Sequence, residues 1–358
     1  PYKWFSQRRL RLRDADAGFT GAEMGTFAHR VLEVTHRNLL ALAQEKLLGA
    51  SELRRIYEED PEGMQSAAYA AEAERLVELA QWDPTALIAG SRPVAGSPSL
   101  ELARKILDEE FGGHLDHQYF LGKGKRPQVQ ALVPHTAGQA GSVDALRRDL
   151  LDLIDYESER FTGYEPRFFE WGFGKHDDVV EYAGVRITGT VDRIDVDAHG
   201  QAAVIDYKHK GDRGFAAEYD AFGKEGAGDA FELPRRVQSL IYGQVVRRAF
   251  PGLKVRAAVY LCTKGSHEIA GAVDAEAVDA VFGPCGASKR RLPRIEVPRA
   301  AGFGMKGESG MDALLDACEE AIAAKLERLL AGDIEASPID AHACDYCPVL
   351  NCERRLSK

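Results

Sequence analysis

The stretch GTVDRIDVDAHGQAAVIDYKHK, residues 189 to 210, constrains the fold most, because charged side chains lie inside two apolar runs. Valine and isoleucine flank Asp192 and Asp206, and the segment DAHG at 197 to 200 has the composition of a turn. The pattern predicts two strands that the turn folds back against each other in antiparallel pairing. Burial of a charge costs free energy unless a partner or a metal compensates it, so we expect these charged side chains to have such a partner.

Side chains two residues apart on a strand face the same way, so Asp206 and Lys208 share one face and Tyr207 points to the other. The turn brings Asp192 opposite that pair. Two converging carboxylates repel each other unless a cation lies between them, and hard oxygen ligands suit Mg²⁺ or Mn²⁺. A lysine beside the ion could stabilise charge or position a water. A buried salt bridge between Lys208 and one of the aspartates is the alternative that these residues leave open.

The chain of 358 residues, 45% hydrophobic and 28% charged, is long enough to bury a sizeable core. It has no long apolar run and no signal-peptide pattern, which predicts a cytoplasmic protein without a membrane anchor. Its first residue is Pro1 rather than Met, which predicts a piece of a longer protein. The net charge of -10 argues against a surface that is basic throughout, although the basic segments 8 to 13 and 288 to 294 could line a groove.

The organisation that we predict is a single domain, residues 1 to 358. A long helix starts at Thr20, an N-cap with Glu23 three residues on. The further predicted parts are a helical insertion at about 50 to 160, a catalytic sheet core at 165 to 265, a C-terminal helix at 311 to 332 and a cysteine cluster at 342 to 354. A helix at ELPRRVQSLIYGQVVRRAF between the last two strands of the core gives a strand-strand-helix-strand unit.

The C-terminal cysteines Cys344, Cys347 and Cys352 have the spacing of metal ligands. Three thiolates leave one coordination position, which His342 could fill in a zinc site. A zinc-organised interaction domain is therefore one hypothesis for this chain. Cys262 and Cys318 lie in apolar patterns, which predicts small buried core residues.

Four motifs, in chain order, resemble those of the RecB-like branch of the PD-(D/E)xK nucleases. They are GTFAHRVLE with His29, GTVDRID with Asp192, VIDYK with Asp206 and Lys208, and QSLIY with Gln238 and Tyr242. The resemblance spans residues 25 to 242 and implies an α/β fold. The implied architecture is a restriction-endonuclease-like mixed sheet core with flanking helices and a helical insertion.

The resemblance also implies roles for individual residues. The implied metal ligands are the side chains of His29, Asp192 and Asp206 and the backbone carbonyl of Tyr207. The implied catalytic residues are Asp192, Asp206, Lys208, Gln238 and Tyr242. Lys208 would assist the attacking water or the transition state, and Gln238 and Tyr242, one helical turn apart, would present one face near the DNA. Glu170 stands where the family often has an acid on the first strand, and its role is open between structural and catalytic.

Within the family, the chain most resembles the C-terminal nuclease domain of AddB-like helicase-nuclease subunits. These carry a [4Fe-4S] cluster on three C-terminal cysteines and one upstream cysteine that precedes P-Y-x-F/W-F. This chain begins PYKWF, so the resemblance places the fourth ligand just before Pro1. The spacing between Cys347 and Cys352 departs from the family tail, with four intervening residues instead of five.

The implied function is metal-dependent exonuclease cleavage of DNA phosphodiesters in double-strand-break repair and recombination. The implied partners are single-stranded DNA and an AddA-like helicase subunit, with no membrane. A free-standing RecB-family exonuclease or a CRISPR-adaptation nuclease fits the same motifs. A non-catalytic DNA-binding or scaffolding module of the same fold is the alternative from a different class.

Overall fold

The computed structural model describes residues 19–48, 91–115, 132–174, 179–219, 233–283, 310–333, 335–336, 344 and 352–353. The basic segments 8 to 13 and 288 to 294 lie outside the described residues, as do His342, Cys347 and the opening PYKWF. No helix in the described part of the chain is both long enough and apolar enough to cross a membrane.

The structure alternates helices and strands along the chain. The α-helices of the described residues are α1 Gly21–Leu48, α2 Pro98–Leu115, α3 Ala137–Ser158, α4 Phe215–Tyr219, α5 Gln238–Ala249, α6 Val278–Phe282 and α7 Gly310–Leu330. The strands are β1 Tyr164–Phe173, β2 Val180–Tyr182, β3 Val185–Ile187, β4 Gly189–Asp197, β5 Gln201–Lys208, β6 Lys254–Cys262 and β7 Ile269–Val273. A short 3₁₀-helix, Ala275–Ala277, precedes α6.

Within the described residues, the central sheet has five strands in the order β1-β4-β5-β6-β7, and β2 pairs with β3 in a separate small sheet. Strands β4 and β5 are antiparallel across the DAHG turn. Strands β5 and β6 are parallel, and the connection between them includes α4 and α5. The mixed sheet with flanking helices confirms the predicted fold class, and the predicted strand-strand-helix-strand unit is β4, β5, α5 and β6.

Helices cover both faces of the sheet because the central strands are apolar on both sides. On β5, Ile205 and Tyr207 pack in a core cluster with residues of α1, α2 and α3. Val204 packs in a second cluster on the opposite face, with residues of α5 and α7. Cys262 and Cys318 are fully buried, which confirms their prediction as core residues.

A capping box starts α1, as the sequence predicts. The backbone N–H of Glu23 donates to Thr20 Oγ1 at 3.3 Å, and the backbone N–H of Thr20 donates to Glu23 Oε2 at 2.6 Å. Each side chain thus satisfies a backbone N–H that the helix itself leaves without a partner.

A buried ionic network ties the first core cluster to the sheet. The Arg193 guanidinium, 1% exposed, donates to both Asp195 carboxylate oxygens at 2.6 Å and to Glu157 Oε2 at 2.6 Å. It also donates to the Tyr207 hydroxyl at 2.6 Å and lies 3.0 Å from His36 Nε2. Burial alone would raise the pKa of Glu157, but the charge of Arg193 and the contact with His36 hold it at about 2.

Removal of one carboxylate from this network tests how much the fold depends on it. Glu157→Gln leaves Arg193 buried with a single anionic partner, and we expect a loss of about 3 kcal/mol in the free energy of unfolding. Urea denaturation followed by circular dichroism measures it. The control is Glu159→Gln, two residues on, where the side chain is 65% exposed and we expect a change within about 0.5 kcal/mol. Equal stability of the two variants would contradict the role given to the network.

Candidate metal and catalytic site

The candidate site lies where β4 and β5 separate. The two strands pair from Val196 and Ala202 as far as Arg193 and Ile205, and the ladder stops there. Just beyond the last pair, the backbone N–H of Tyr207 donates to Asp192 Oδ2 at 2.8 Å. A carboxylate therefore takes the place of a main-chain acceptor, which fixes Asp192 at the opening of the sheet.

Helix α1 packs over β1 and β4 and brings His29 to the same point. His29 Nδ1 lies 3.4 Å from Asp192 Oδ2, and the imidazole ring meets the Tyr207 ring edge-on at 6.0 Å. Burial alone would lower the pKa of His29, but the hydrogen bond and the negative charge of Asp192 outweigh it and raise the pKa above its usual value.

Glu170 on β1 is the third member of this group, and its role was open in the sequence. One ligand atom from each of His29, Glu170 and Asp192 lies within 4.8 Å of the others. Glu170 has a φ of 49° within a strand, a strained value for a residue with a side chain that costs about 1–3 kcal/mol. Burial, together with the charge of Asp192, raises the pKa of Glu170 to about 7.

Asp206 lies beside this group without belonging to it. Its side chain is 3% exposed, and Lys208 Nζ lies 2.5 Å from Asp206 Oδ2. This contact is an ion pair, and the positive charge of Lys208 acts to lower the pKa of Asp206. Burial raises the pKa of Asp206 to about 7, and the charge of Asp192 adds to the effect. The salt bridge expected as the alternative is therefore present, beside the group formed by His29, Glu170 and Asp192.

These residues fit a hard divalent cation. The carboxylates of Glu170, Asp192 and Asp206 and one imidazole supply the oxygen-rich donor set of Mg²⁺ or Mn²⁺. Burial and the negative charge of Asp192 both disfavour ionised Glu170 and Asp206, and a bound cation would offset that cost. The backbone carbonyl of Tyr207 stays a predicted ligand.

A hydrogen-bonded chain positions Lys208 from the side of α5. Lys208 Nζ donates to Gln238 Oε1 at 2.9 Å, and Gln238 Nε2 donates to the Tyr242 hydroxyl at 2.8 Å. Because Tyr242 takes the amide N–H, the amide oxygen of Gln238 must face Lys208. The spacing of one helical turn between Gln238 and Tyr242 is what allows this contact.

An open groove of about 630 Å³ leads to the site. It runs along the first turns of α1, and its lining includes His29, Glu170, Tyr207, Lys208 and His209. The groove gives a ligand in solution access to His29, Glu170 and Lys208.

The structure brings together His29, Asp192, Asp206, Lys208, Gln238 and Tyr242, and their roles in catalysis stay predictions. Of the three C-terminal cysteines, Cys344 is buried and Cys352 is partly exposed, neither in a disulfide, while Cys347 lies outside the described residues. The sequence did not single out Arg193, although an arginine between apolar strand residues is a signal that a buried partner exists.

Comparison with known proteins gives one family. A sequence model described as the PD-(D/E)XK nuclease superfamily matches residues 100–352. The matched region includes β1 to α7, and His29 on α1 precedes it. None of the curated proteins that were compared matches the chain.

Metal binding should show in the thermal stability of the protein. A cation that binds only the folded state at about 100 times its Kd adds about 2.7 kcal/mol of stability, and thermal denaturation with and without Mg²⁺ or Mn²⁺ measures it. Asp192→Asn keeps an oxygen acceptor for the Tyr207 N–H but loses the charge, so we expect the metal-induced rise in Tm to fall to near zero. Asp206→Asn should raise Tm without metal, because it relieves repulsion, and lose the response to metal.

The matched control is Asp144→Asn on the exposed side of α3, which should keep the full metal response. A fall in the metal-free Tm of Asp206→Asn would contradict this assignment, because it would mean that the ion pair with Lys208 is structural.

Proposed function

Because the chain belongs to the PD-(D/E)XK nuclease superfamily, we propose that it is a Mg²⁺- or Mn²⁺-dependent deoxyribonuclease that cleaves phosphodiester bonds in single-stranded DNA. The observation that carries the proposal is the convergence of His29, Glu170 and Asp192, with Asp206 and Lys208 beside them at the end of an open groove. Charged groups of this kind are costly to bury, and the fold has no need of them at the opening of a sheet.

A divalent cation bound here would polarise the scissile phosphate and lower the pKa of water. His29, Glu170, Asp192 and Asp206 would hold it. The ammonium of Lys208 has three N–H bonds, of which Gln238 accepts one. Asp206 Oδ2 lies 2.5 Å from the same nitrogen, and the N–H that neither partner takes would reach a phosphate oxygen or the attacking water. A fixed positive charge there stabilises the charge that develops in the transition state.

Gln238 and Tyr242 act on Lys208 rather than on the substrate. Without the Gln238 carbonyl, the ammonium of Lys208 would turn fully towards Asp206, which lies 2.5 Å away. The hydrogen bond to the Gln238 amide therefore keeps the ammonium of Lys208 oriented partly towards the groove and not only towards Asp206. We propose Gln238 and Tyr242 as positioning residues.

The nuclease domain extends, in this proposal, to the whole chain from 1 to 358. The support is that α1, which precedes the matched residues, packs on β1 and β4 and supplies His29. The helical segment between α1 and β1 includes α2 and α3, whose residues share one core cluster with α1.

The finer context rests on the four motifs and their order. We propose exonuclease action within an AddB-like subunit of a helicase-nuclease that processes double-strand breaks, with an AddA-like helicase delivering the strand. A free-standing RecB-family exonuclease or a CRISPR-adaptation nuclease would share the site and differ in its partner. Co-purification with a helicase subunit separates these three.

Cleavage of end-labelled single-stranded DNA with Mg²⁺, Mn²⁺ or EDTA tests the reaction. We expect metal-dependent cleavage that Asp206→Ala and Lys208→Ala each reduce by about 100-fold or more, since each removes a group at the reacting phosphate. Gln238→Ala should lower the rate about tenfold, and Gln238→Glu, which keeps an oxygen acceptor, should recover part of it.

The matched control for this assay is Lys254→Ala, at an exposed position where β6 begins. It should cleave like the parent protein. A folded parent protein that binds DNA with metal present and never cleaves it would favour the non-catalytic DNA-binding module instead.

In the parent protein, the cysteine tail is proposed to hold a [4Fe-4S] cluster through Cys344, Cys347, Cys352 and a fourth ligand just upstream of Pro1, with a zinc site completed by His342 as the alternative. The support is the ligand spacing and the burial of Cys344, which is 8% exposed. Such a site would stabilise the fold rather than take part in hydrolysis.

Metal analysis of the purified protein decides between iron and zinc. We expect iron with sulfide and a visible charge-transfer absorbance, lost in Cys347→Ser. The control is Cys318→Ser, a change of the same chemistry inside α7, which should keep its iron. Zinc in place of iron, lost in both Cys347→Ser and His342→Ala, would establish the alternative.

A further inference from the structure

Two cations flank the Lys208 and Gln238 hydrogen bond on the solvent side. Lys210 follows Lys208 by two residues, and Arg236 precedes Gln238 by two residues. Both turn to one carboxylate: Arg236 Nη2 donates to Glu218 Oε1 at 2.6 Å, and Lys210 Nζ donates to Glu218 Oε2. The end of β5 and the segment that leads into α5 therefore present a pair of cations next to the candidate catalytic lysine.

An aromatic platform connects this pair to Lys208. Lys210 Nζ lies 5.6 Å and Arg236 Cζ 5.7 Å from the centre of the Tyr219 ring. The rings of Tyr219 and Tyr260 are 4.7 Å apart, and Lys208 Nζ lies 5.6 Å from the Tyr260 ring. Both tyrosines are buried, so the platform is rigid and sets the positions of the cations relative to Lys208.

The electrostatics of the pair do not match a purely structural role. Lys210 and Arg236 are each 48% exposed, and ion pairs so exposed add only about 0–1 kcal/mol to stability. Two cations share one carboxylate, which leaves a local positive excess on a chain whose net charge is -10. Arg213 and Arg235, in the same two segments, are exposed as well and add to that excess.

We propose that Lys210 and Arg236 form a phosphate clamp, which binds the backbone of the nucleic-acid strand beside the scissile phosphate. Lys208 lines the groove and lies next to the clamp, so a strand that leaves the groove past Lys208 meets these two cations. Glu218 holds the two side chains in place until a phosphate replaces it. The clamp rests on the proposed nuclease function, because it takes the same strand as its ligand.

A phosphodiester suits this pair for two reasons. The Arg236 guanidinium presents parallel N–H donors that match two phosphate oxygens, and Lys210 adds a compact charge. A phosphate also has the same formal charge as the Glu218 carboxylate, so it can replace that carboxylate as the partner of the two cations while the strand's counterions are released into solution. Contacts of this kind carry no sequence preference, as a nuclease that digests a whole strand requires.

The test is the salt dependence of binding to a fluorescent oligothymidylate, measured by anisotropy in EDTA, where no metal-dependent cleavage occurs. For Lys210→Gln with Arg236→Gln we expect affinity to fall about tenfold at low salt and the slope of log K against log salt to flatten by about 0.7, the value for one phosphate on a single strand. Glu218→Gln removes the competing carboxylate, so it should bind as tightly as the parent protein or more tightly.

The charge-matched control is Lys105→Gln with Arg148→Gln, two exposed cations on α2 and α3, which cover the opposite face of the sheet. The control should change affinity by less than about twofold and keep the slope. Equal weakening by the control would show that net charge alone matters and would overturn the clamp. Weakening by Glu218→Gln to the level of the double variant, with a common fall in Tm, would overturn it too, because the three residues would then be structural.

Cleavage in Mg²⁺ by the same proteins separates the clamp from the proposed function. We expect the double variant to show a raised KM and a smaller change in kcat. A parent protein that cleaves, with a double variant that binds and cleaves equally well, refutes the clamp and leaves the nuclease standing. A parent protein that neither binds nor cleaves nucleic acid refutes both.

Discussion

The buried guanidinium of Arg193 holds together the elements that carry the candidate site. Its partners come from four elements and are His36 on α1, Glu157 on α3, Asp195 on β4 and Tyr207 on β5. Site residues adjoin these positions, since Asp192 precedes Arg193, Asp206 precedes Tyr207, and His29 lies two helical turns before His36 on α1. The buried network lies beneath the candidate site and thus fixes the backbone from which the site residues project.

This support matters because the site itself works against folding. Glu170 has a strained backbone, and burial, together with the negative charge of Asp192, raises the pKa values of Glu170 and Asp206 to about 7. Such costs persist only where the surroundings over-determine the conformation. The Arg193 network and the two apolar clusters, one on each face of the sheet, hold the backbone of the site in its conformation. A bound cation would be coordinated by the carboxylates and would offset their repulsion.

Several of the candidate site residues lie at the carboxyl ends of the parallel strands β5 and β6. Asp206 and Lys208 lie at the end of β5, Tyr260 lies near the end of β6, and α5 between these strands begins with Gln238. The connection that makes the two strands parallel therefore also places an amide acceptor, and Arg236 just before it, against the lysine. This edge has a negative side and a positive side. The carboxylates lie towards β1 and β4, where a metal would bind, and the cations lie towards α4 and α5, where a polyanion would bind.

The sequence by itself determined the local parts of this protein. Residue alternation set the strands β4 and β5 and the shared face of Asp206 and Lys208, the capping box set the start of α1, and helical spacing set the contact of Gln238 with Tyr242. These features repeat over two to four residues, so they can be read from a short window. Only the tertiary structure gave Glu170 its place beside His29, the partner of Arg193 on α3, and the convergence of Lys210 and Arg236 on Glu218. Those features depend on an irregular backbone angle or on contacts between segments far apart in the sequence. No short, repeating sequence pattern encodes them.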